Sequence, residues 1–272
     1  MKVATWNVNG IRARHAQVIE WLEREAPDVV CLQETKAPAA KVPAALTGAL
    51  GEYHAHWHGE GGYSGVALLL RRAHFGAAIE FTHPPFDMEQ RIVVAAHADL
   101  VLASIYIPNG GKDFEAKLRF LDQLVAWAQD LRAAGRHLVL CGDFNVAHTD
   151  RDVHPAQRSG GIGQLPEERG RIDRLFAQGG LVDVGRHVAP DDDRLFTWWA
   201  PWRNMRPRNI GWRLDYVAAS SALVDEHTHC VAYRDVGTSD HGPVIAHLRD
   251  TPATELDEAV AAQRTIDQDL WK

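Results

Sequence analysis

Leu138, Val139 and Leu140 form a short apolar run, and Gly142 ends it. Asp143 and Asn145 follow two residues apart, so on extended backbone both side chains leave the same face. A carboxylate and an amide at the end of an apolar strand must sit where a core gives way to something polar. That requirement constrains the fold more than any other stretch of the chain. Taken alone, His137–His148 admits two readings, an Asx-type turn and one wall of a polar site.

The same ending recurs along the chain. The run KVATWNV (Lys2–Val8) closes on Asn7 and Asn9, and DVVCLQE (Asp28–Glu34) closes on Glu34. Leu100–Tyr106 ends on Tyr106 with Asn109 just beyond; Asp215 and Asp240-His241 stand beside two further apolar runs. Polar strand ends spread over the whole chain point to a single cleft that they rim together. Carboxylates and amide oxygens without thiolates suit a hard cation such as Mg²⁺ or Mn²⁺. A histidine beside carboxylates suits charge stabilisation or proton transfer. The combination indicates metal-assisted hydrolysis of a phosphate ester.

The intervening segments supply the layers. Val18, Trp21 and Leu22 lie at helical spacing within Arg14–Glu25, and Pro27 closes that helix. Asp113–Ala134 carries Leu118, Leu121, Leu124, Val125 and Ala128 on one face, and another helix is expected over Pro166–Phe176. A short helix is expected near Val42–Leu50. Strands are expected at Tyr53–Trp57, Gly65–Leu70, Arg91–His97, Leu100–Tyr106, Leu195–Trp199, Leu214–Ala219, His229–Tyr233 and Pro243–Leu248. Hairpins mixed with β-α crossovers imply an α/β sandwich with mixed sheets.

The 272 residues show no composition shift before residue 249, so residues 1–249 read as one catalytic domain. Residues 250–272 read as an acidic extension that is helical or flexible; it carries −4 of the chain's formal −7. Removing that share leaves the body near neutrality, compatible with a locally basic face. The extension is expected to form a helix on the body, a solvated tail or a segment that binds a protein partner. The N-terminus has no apolar signal region and no run approaches membrane length, so a cytoplasmic protein without membrane contact is expected; a monomer is expected as well. Cys31 and Cys141 sit within apolar runs and read as buried hydrophobes. Most of the 15 histidines read as surface or core residues rather than ligands.

WNVNGIRAR, CLQETK, YIPNGG, GDFNVAH, GWRLDY and SDHGPV occur in that order. Together they resemble the exonuclease III family of apurinic/apyrimidinic endonucleases, within the endonuclease/exonuclease/phosphatase superfamily. The resemblance runs from about Met1 to Leu248. It implies a four-layer α/β sandwich, two packed mixed β-sheets flanked by helices. It also implies roles: Glu34 as the principal metal ligand with Asn7 beside it, and Asp240 by the metal or a second metal position. Asp143 would orient or deprotonate the attacking water, and Asn145 would hold it or a phosphate oxygen. His241 would contact the scissile phosphate with Asp215 on its other nitrogen, while Tyr106 and Asn109 also face the phosphate. Asn9 ranks lower as a metal ligand. Asp215 has an alternative reading, a structural bridge to Arg213.

Four tryptophans and four arginines interleave between Phe196 and Tyr216: Trp198, Trp199, Trp202 and Trp212 with Arg203, Arg206, Arg208 and Arg213. Aromatics stack on bases or receive an extruded sugar, and arginines bind phosphates. Trp199 reads as core. By resemblance, Trp198, Trp212 and Leu214 form a pocket for a flipped abasic deoxyribose, with Lys36, Lys112 and Arg12 as backbone contacts. The Gly-rich loop His148–Leu165 departs from the family pattern, so the resemblance does not set the balance of endonuclease, exonuclease and 3′-phosphatase activity. The expected function is a Mg²⁺-dependent DNA repair hydrolase, with Mn²⁺ substituting. It would act on duplex DNA at abasic sites and at 3′ ends. The alternatives are a phosphoesterase for RNA or an inositol phosphate, and a catalytically idle DNA-binding homologue.

Overall fold

The computed structural model describes residues 1–250. Of the expected extension, all but Asp250 lies outside the described residues. Twelve strands occur among them: β1 (Lys2–Asn7), β2 (Val29–Gln33), β3 (Tyr53–His58), β4 (Val66–Arg71), β5 (Phe81–Thr82), β6 (Ile92–His97), β7 (Leu100–Tyr106), β8 (His137–Asp143), β9 (Leu181–Asp183), β10 (Asp215–Ser220), β11 (His229–Ala232) and β12 (Val244–His247). They form two six-stranded sheets, ordered β11-β12-β1-β2-β4-β3 and β5-β6-β7-β8-β10-β9.

Period-2 alternation explains why the sheets stack. In β1, Val3 enters the core between the sheets, whereas Ala4 and Trp6 face outward against the helix Ile11–Glu25. In β8, Val139 and Cys141 point inward, whereas Leu138 and Leu140 meet the helices Phe114–Ala133 and Pro166–Gly179. The result is helix, sheet, sheet, helix, a four-layer sandwich of two mixed sheets.

The inner faces do not stay apolar along their length. Toward one end the inter-sheet core turns polar, at Thr5, Gln33 and Ser104, all fully buried. Thr5 Oγ1 donates to Gln33 Oε1 at 3.1 Å, and Gln33 Nε2 donates to Ser104 Oγ at 3.3 Å. One strand step further on the same faces come Asn7, Tyr106, Asp143 and Asp215. Register aligns them: Tyr106 pairs with Asp143, and Asp143 with Asp215. Gly142 permits this arrangement, since a Cβ there would lie 1.8 Å from the Ile105 carbonyl oxygen.

Some local expectations are revised. Leu195–Trp199 is no strand: Thr197 N and Trp198 N both donate to the Trp212 carbonyl, a bulge that interrupts the ladder and leaves isolated bridges. β5, β9 and the short helices Arg72–Phe75 and Val184–Val188 are too brief to show a period in sequence. The first helix begins at Ile11 rather than Arg14, because Gly10 N and Ile11 N find the carbonyls of Glu34 and Thr35. No helix of the described residues is long and apolar enough to cross a membrane.

Candidate active site

Most of the polar strand ends and the loops after them line one cleft of ≈ 330 Å³, while Asn7 and Asp215 reach it through their bonds to Asp143 and His241. Its floor holds Glu34, Tyr106, Asp143 and His241; Asn109, Asn145 and Asp240 stand on its sides, with Trp198, Trp212 and Leu214 at one end. Glu34 and Asn145 both adopt left-handed backbone, φ 49° and 51°. For non-glycine residues this conformation costs about 1–3 kcal/mol and persists only where the surroundings over-determine it.

Asp143 is fully buried and bonded on both oxygens. Its Oδ1 accepts from Asn145 N at 2.9 Å and its Oδ2 from Asn7 Nδ2 at 2.9 Å. The second N–H of Asn7 reaches Glu34 Oε1 at 3.0 Å, where the Tyr106 hydroxyl also donates at 2.9 Å. His241 Nδ1 lies 2.8 Å from Asp215 Oδ2, and its Nε2 lies 3.8 Å from Asp143 Oδ2. Thr197 Oγ1 accepts from the backbone of both Leu214 and Asp215 at 3.0 Å, fixing the strand end that carries the aspartate.

These contacts set the charge states. Burial raises the Asp143 carboxyl to about 7 despite the opposing pull of His241, with Asp215 and Glu34 adding to the rise. Burial alone would push His241 down, yet the carboxylates of Asp215 and Asp143 lift it to about 10. Burial, then the charges of Glu34 and Asp143, keep the Tyr106 phenol protonated, so it acts as a donor. Glu34 stays ionised: the bonds from Asn7 and Lys36 outweigh its burial.

Glu34, Asp143 and His241 bring ligand-type atoms within 4.8 Å of one another. Two carboxylates in a pocket without thiolates fit a hard divalent cation. Lys36 Nζ, 2.7 Å from Glu34 Oε2 and 2.6 Å from Asn9 Oδ1, shows that positive charge is accommodated there. Asn7 lies beside Glu34 as expected, but it offers its N–H groups to the carboxylates while its Oδ1 accepts from Asn9 N. Asp240 is not in that group; its oxygens take Asn9 Nδ2 at 2.8 Å and Trp198 Nε1 at 3.0 Å. Lys112 lies on the rim of an adjoining depression that also contains Tyr63, Arg91 and Asn109.

At the aromatic end, Trp198 and Trp212 meet edge to face at 5.8 Å over Leu214, Ala147 and Val153. Gly163 closes this end with φ +90°, and a Cβ there would stand 2.7 Å from Trp212 Cζ3. Gly163→Ala is therefore expected to displace Trp212, raising KM about tenfold with a stability cost of about 1–3 kcal/mol. Steady-state kinetics and thermal melting measure the two effects.

Two of the four interleaved arginines are not free for phosphate, which corrects the sequence reading. Arg206 spends its guanidinium on the carbonyls of Arg234, Val236, Gly237 and Ser239. Arg213 is buried between Asp152 and Asp183, at 2.7 Å from each, which also removes it as a partner for Asp215. Arg203 and Arg208 remain exposed. Trp199 is core, as expected, and Trp202 is exposed.

Burial opposes the Asp152 charge, but Arg213 and Arg186 overcome it and hold the carboxyl far below its usual range. A depressed folded value means stability present above the unfolded value, about 3.9, and lost as pH falls below it. Asp152→Asn should cost about 2–3 kcal/mol at pH 7, with the gap to wild type narrowing in melts below about pH 4.

Two contributors were not found in the sequence. Lys117 Nζ, wholly buried, pairs with Glu168 Oε2 at 2.5 Å and donates to the carbonyls of Asn145 at 2.8 Å and Asn109 at 3.2 Å. A signal existed, since Lys117 shares the helical stripe of Leu121 and Leu124. Arg91 places its guanidinium 4.7 Å from the Tyr106 ring centroid and donates to the Tyr106 carbonyl, fixing that phenol from behind.

A four-layer sandwich with buried Asp-His and Glu-Asn pairs at the strand ends between its sheets defines a metal-dependent phosphoester hydrolase architecture. The chain belongs to the endonuclease/exonuclease/phosphatase family, whose model matches residues 4–241, and to its exonuclease III branch of AP endonucleases. It is 36% identical over 260 residues to the DNA repair nuclease APEX1 of Danio rerio, covering 91% of this chain and 82% of that protein. It is 32% identical over 252 residues to an exodeoxyribonuclease of Bacillus subtilis, covering 90% and 98%. Among solved structures it resembles an AP endonuclease from Archaeoglobus fulgidus, with TM-score 0.78, 29% identity and coverage of 91% and 99%. The 3′ phosphatase NExo from Neisseria, bound to a product DNA hairpin, also gives 0.78, with 30% identity and the same coverage.

Proposed function

We propose that the protein cleaves duplex DNA on the 5′ side of abasic sites, leaving 3′-hydroxyl and 5′-deoxyribose phosphate ends, and trims blocked 3′ ends. The observation that carries this reading is the Asp143–His241–Asp215 group beside Glu34, placed directly against the Trp198–Trp212 pocket. Mg²⁺, or Mn²⁺ in its place, held at Glu34, whose carboxylate Asn7 braces through its N–H, and with Asp240 near a second position, would neutralise charge on the phosphate.

The side chains account for the remainder. Asp143 takes a proton from the attacking water, and its raised value near neutrality suits a general base. Asn145, held by Ile107 O and Asn109, orients that water or a phosphate oxygen. The water oxygen bonds to phosphorus as the bond to the 3′ oxygen breaks in line, and the departing 3′ oxygen takes its proton from solvent. His241, charged and braced by Asp215, donates to a nonbridging oxygen where negative charge grows. Tyr106 and Asn109 supply further donors. The pocket of Trp198, Trp212 and Leu214 takes a sugar without its base. On either side the cleft adjoins a depression, one with Arg14 and Arg203, the other with Lys112, which suits phosphates flanking the lesion.

The test is cleavage of an end-labelled duplex bearing one central abasic analogue, with Mg²⁺, with chelator, and with Asp143→Asn as control. A single metal-dependent product ending 5′ of the lesion is expected. A ladder eroding only from the 3′ end would reassign the main activity to exonuclease work. Binding without any turnover in Mg²⁺ or Mn²⁺ would overturn the enzyme reading.

A further inference from the structure

A second group of ligand-bearing side chains lies away from the cleft. His58 ends β3, while His83 and Asp87 lie between β5 and β6, and one ligand atom of each falls within 4.8 Å of the others. We propose that these residues form a site for a zinc-class divalent cation, clipping the edge of one sheet to the edge of the other.

The donor chemistry differs from that of the cleft. Two imidazoles and a carboxylate suit Zn²⁺ and its neighbours, with a fourth position for water or another ligand. His83 Nδ1 lies 2.8 Å from the Ile92 carbonyl, which can only accept, so Nδ1 carries the hydrogen and Nε2 keeps its lone pair. Tying the far ring nitrogen to a carbonyl is how ligating histidines are commonly oriented. Asp87 is held likewise: its Oδ1 accepts from Arg91 N at 2.8 Å and Ile92 N at 2.9 Å. Its Oδ2 is thereby aimed at His58 Nε2, 2.6 Å away. A cation entering here takes the place of the hydrogen between them.

Zinc bonds of about 2.0–2.1 Å need ligand atoms closer than 4.8 Å. The exposed His83 provides the movement by swinging its ring about the Nδ1–Ile92 hydrogen bond. His58 and His83 stack with centroids 3.8 Å apart, so this swing must turn the His83 ring out of the stack before both lone pairs meet one ion; His56, two residues earlier on the same strand face, stands 5.3 Å from His83 as a further imidazole. The site is separate from the cleft. His58 pairs with Val66, Val66 with Gln33 and Gln33 with Asn7, which puts it two strands, roughly 10 Å, from the β2 end that carries Glu34 and three strands, roughly 14 Å, from Asn7. It is linked mechanically, because Asp87 anchors the backbone of Arg91, which packs on Tyr106.

Zinc titration by calorimetry, with parallel melting, tests this on chelator-stripped full-length protein. The Glu34→Ala background removes a principal carboxylate of the cleft. One zinc equivalent is expected at this site, with Tm raised by roughly 5 °C at zinc near a hundred times Kd. Adding His83→Ala or His58→Ala should lower the stoichiometry by one and abolish the rise in Tm. His83 is exposed, so its variant should retain the wild-type circular dichroism. Unchanged stoichiometry in both variants, or no zinc bound by Glu34→Ala, would overturn the proposal. Because the readout is zinc bound rather than DNA cut, failure of the nuclease reading leaves this result distinct.

Discussion

Asp143→Asn is expected to lower kcat by roughly two to five orders of magnitude while the fold is retained. The amide keeps the shape of the carboxylate, but its single oxygen accepts from only one of Asn145 N and Asn7 Nδ2 and its NH2 faces the other donor, so the fold is kept at a modest cost in stability. It can no longer take a proton from water, and it removes a charge 3.8 Å from His241 Nε2. Single-turnover cleavage of the abasic duplex reads the chemical step directly, and circular dichroism checks the fold. His241→Ala should fall in the same range because it removes the donor to the phosphate. Rates near wild type in either variant would reject these roles.

Lys117→Met is expected to destabilise the protein by about 3–5 kcal/mol, the usual result of leaving one partner of a buried ion pair unpaired. For a chain of this size that lowers Tm by about 10 °C. Glu168 would then lie wholly buried without its cation, and the carbonyls of Asn109 and Asn145 would lose a shared donor. Activity should fall with stability, by about 10²-fold, because both asparagines line the cleft. The double variant Lys117→Met/Glu168→Gln separates the effects. Gln retains an acceptor for the backbone of Gly163 and Leu165, so melting should recover most of the loss. Cleavage should stay low, since nothing replaces the ammonium under the asparagines. Recovery of both would make Lys117 purely structural.

Much of this protein was legible without coordinates. The motifs containing Asn7, Glu34, Tyr106, Asp143, Asp215 and His241 are local, and strand alternation places Asn7, Tyr106, Asp143 and Asp215 on the face shared with core residues such as Val3 and Val139; Glu34 is out of phase with that face and turns in through left-handed backbone, and His241 precedes β12. That periodicity, together with the long amphipathic helix Phe114–Ala133, was enough to anticipate an α/β sandwich with mixed sheets; two packed sheets between helices followed from the motifs' resemblance to the exonuclease III family. The preference for a hard divalent cation likewise follows from the residue types.

Other features depend on partners far away in the chain. Whether Arg206 and Arg213 meet DNA phosphates or hold the fold is decided by Val236–Ser239 and by Asp152 and Asp183, which no local pattern announces. Lys117 could be noticed as a charge on an apolar stripe, but its value comes from Glu168, 51 residues away in the numbering. Trp198 and Trp212 meet only because a bulge replaces the strand that their sequence suggests. The sequence by itself determined which polar residues end the strands and, for Asn7, Tyr106, Asp143 and Asp215, which strand face carries them, because a period of two acts between neighbours. Only the tertiary structure decided which charges are spent on the fold and which remain for substrate, because ion pairs and hydrogen bonds act through space between segments that sequence spacing does not relate.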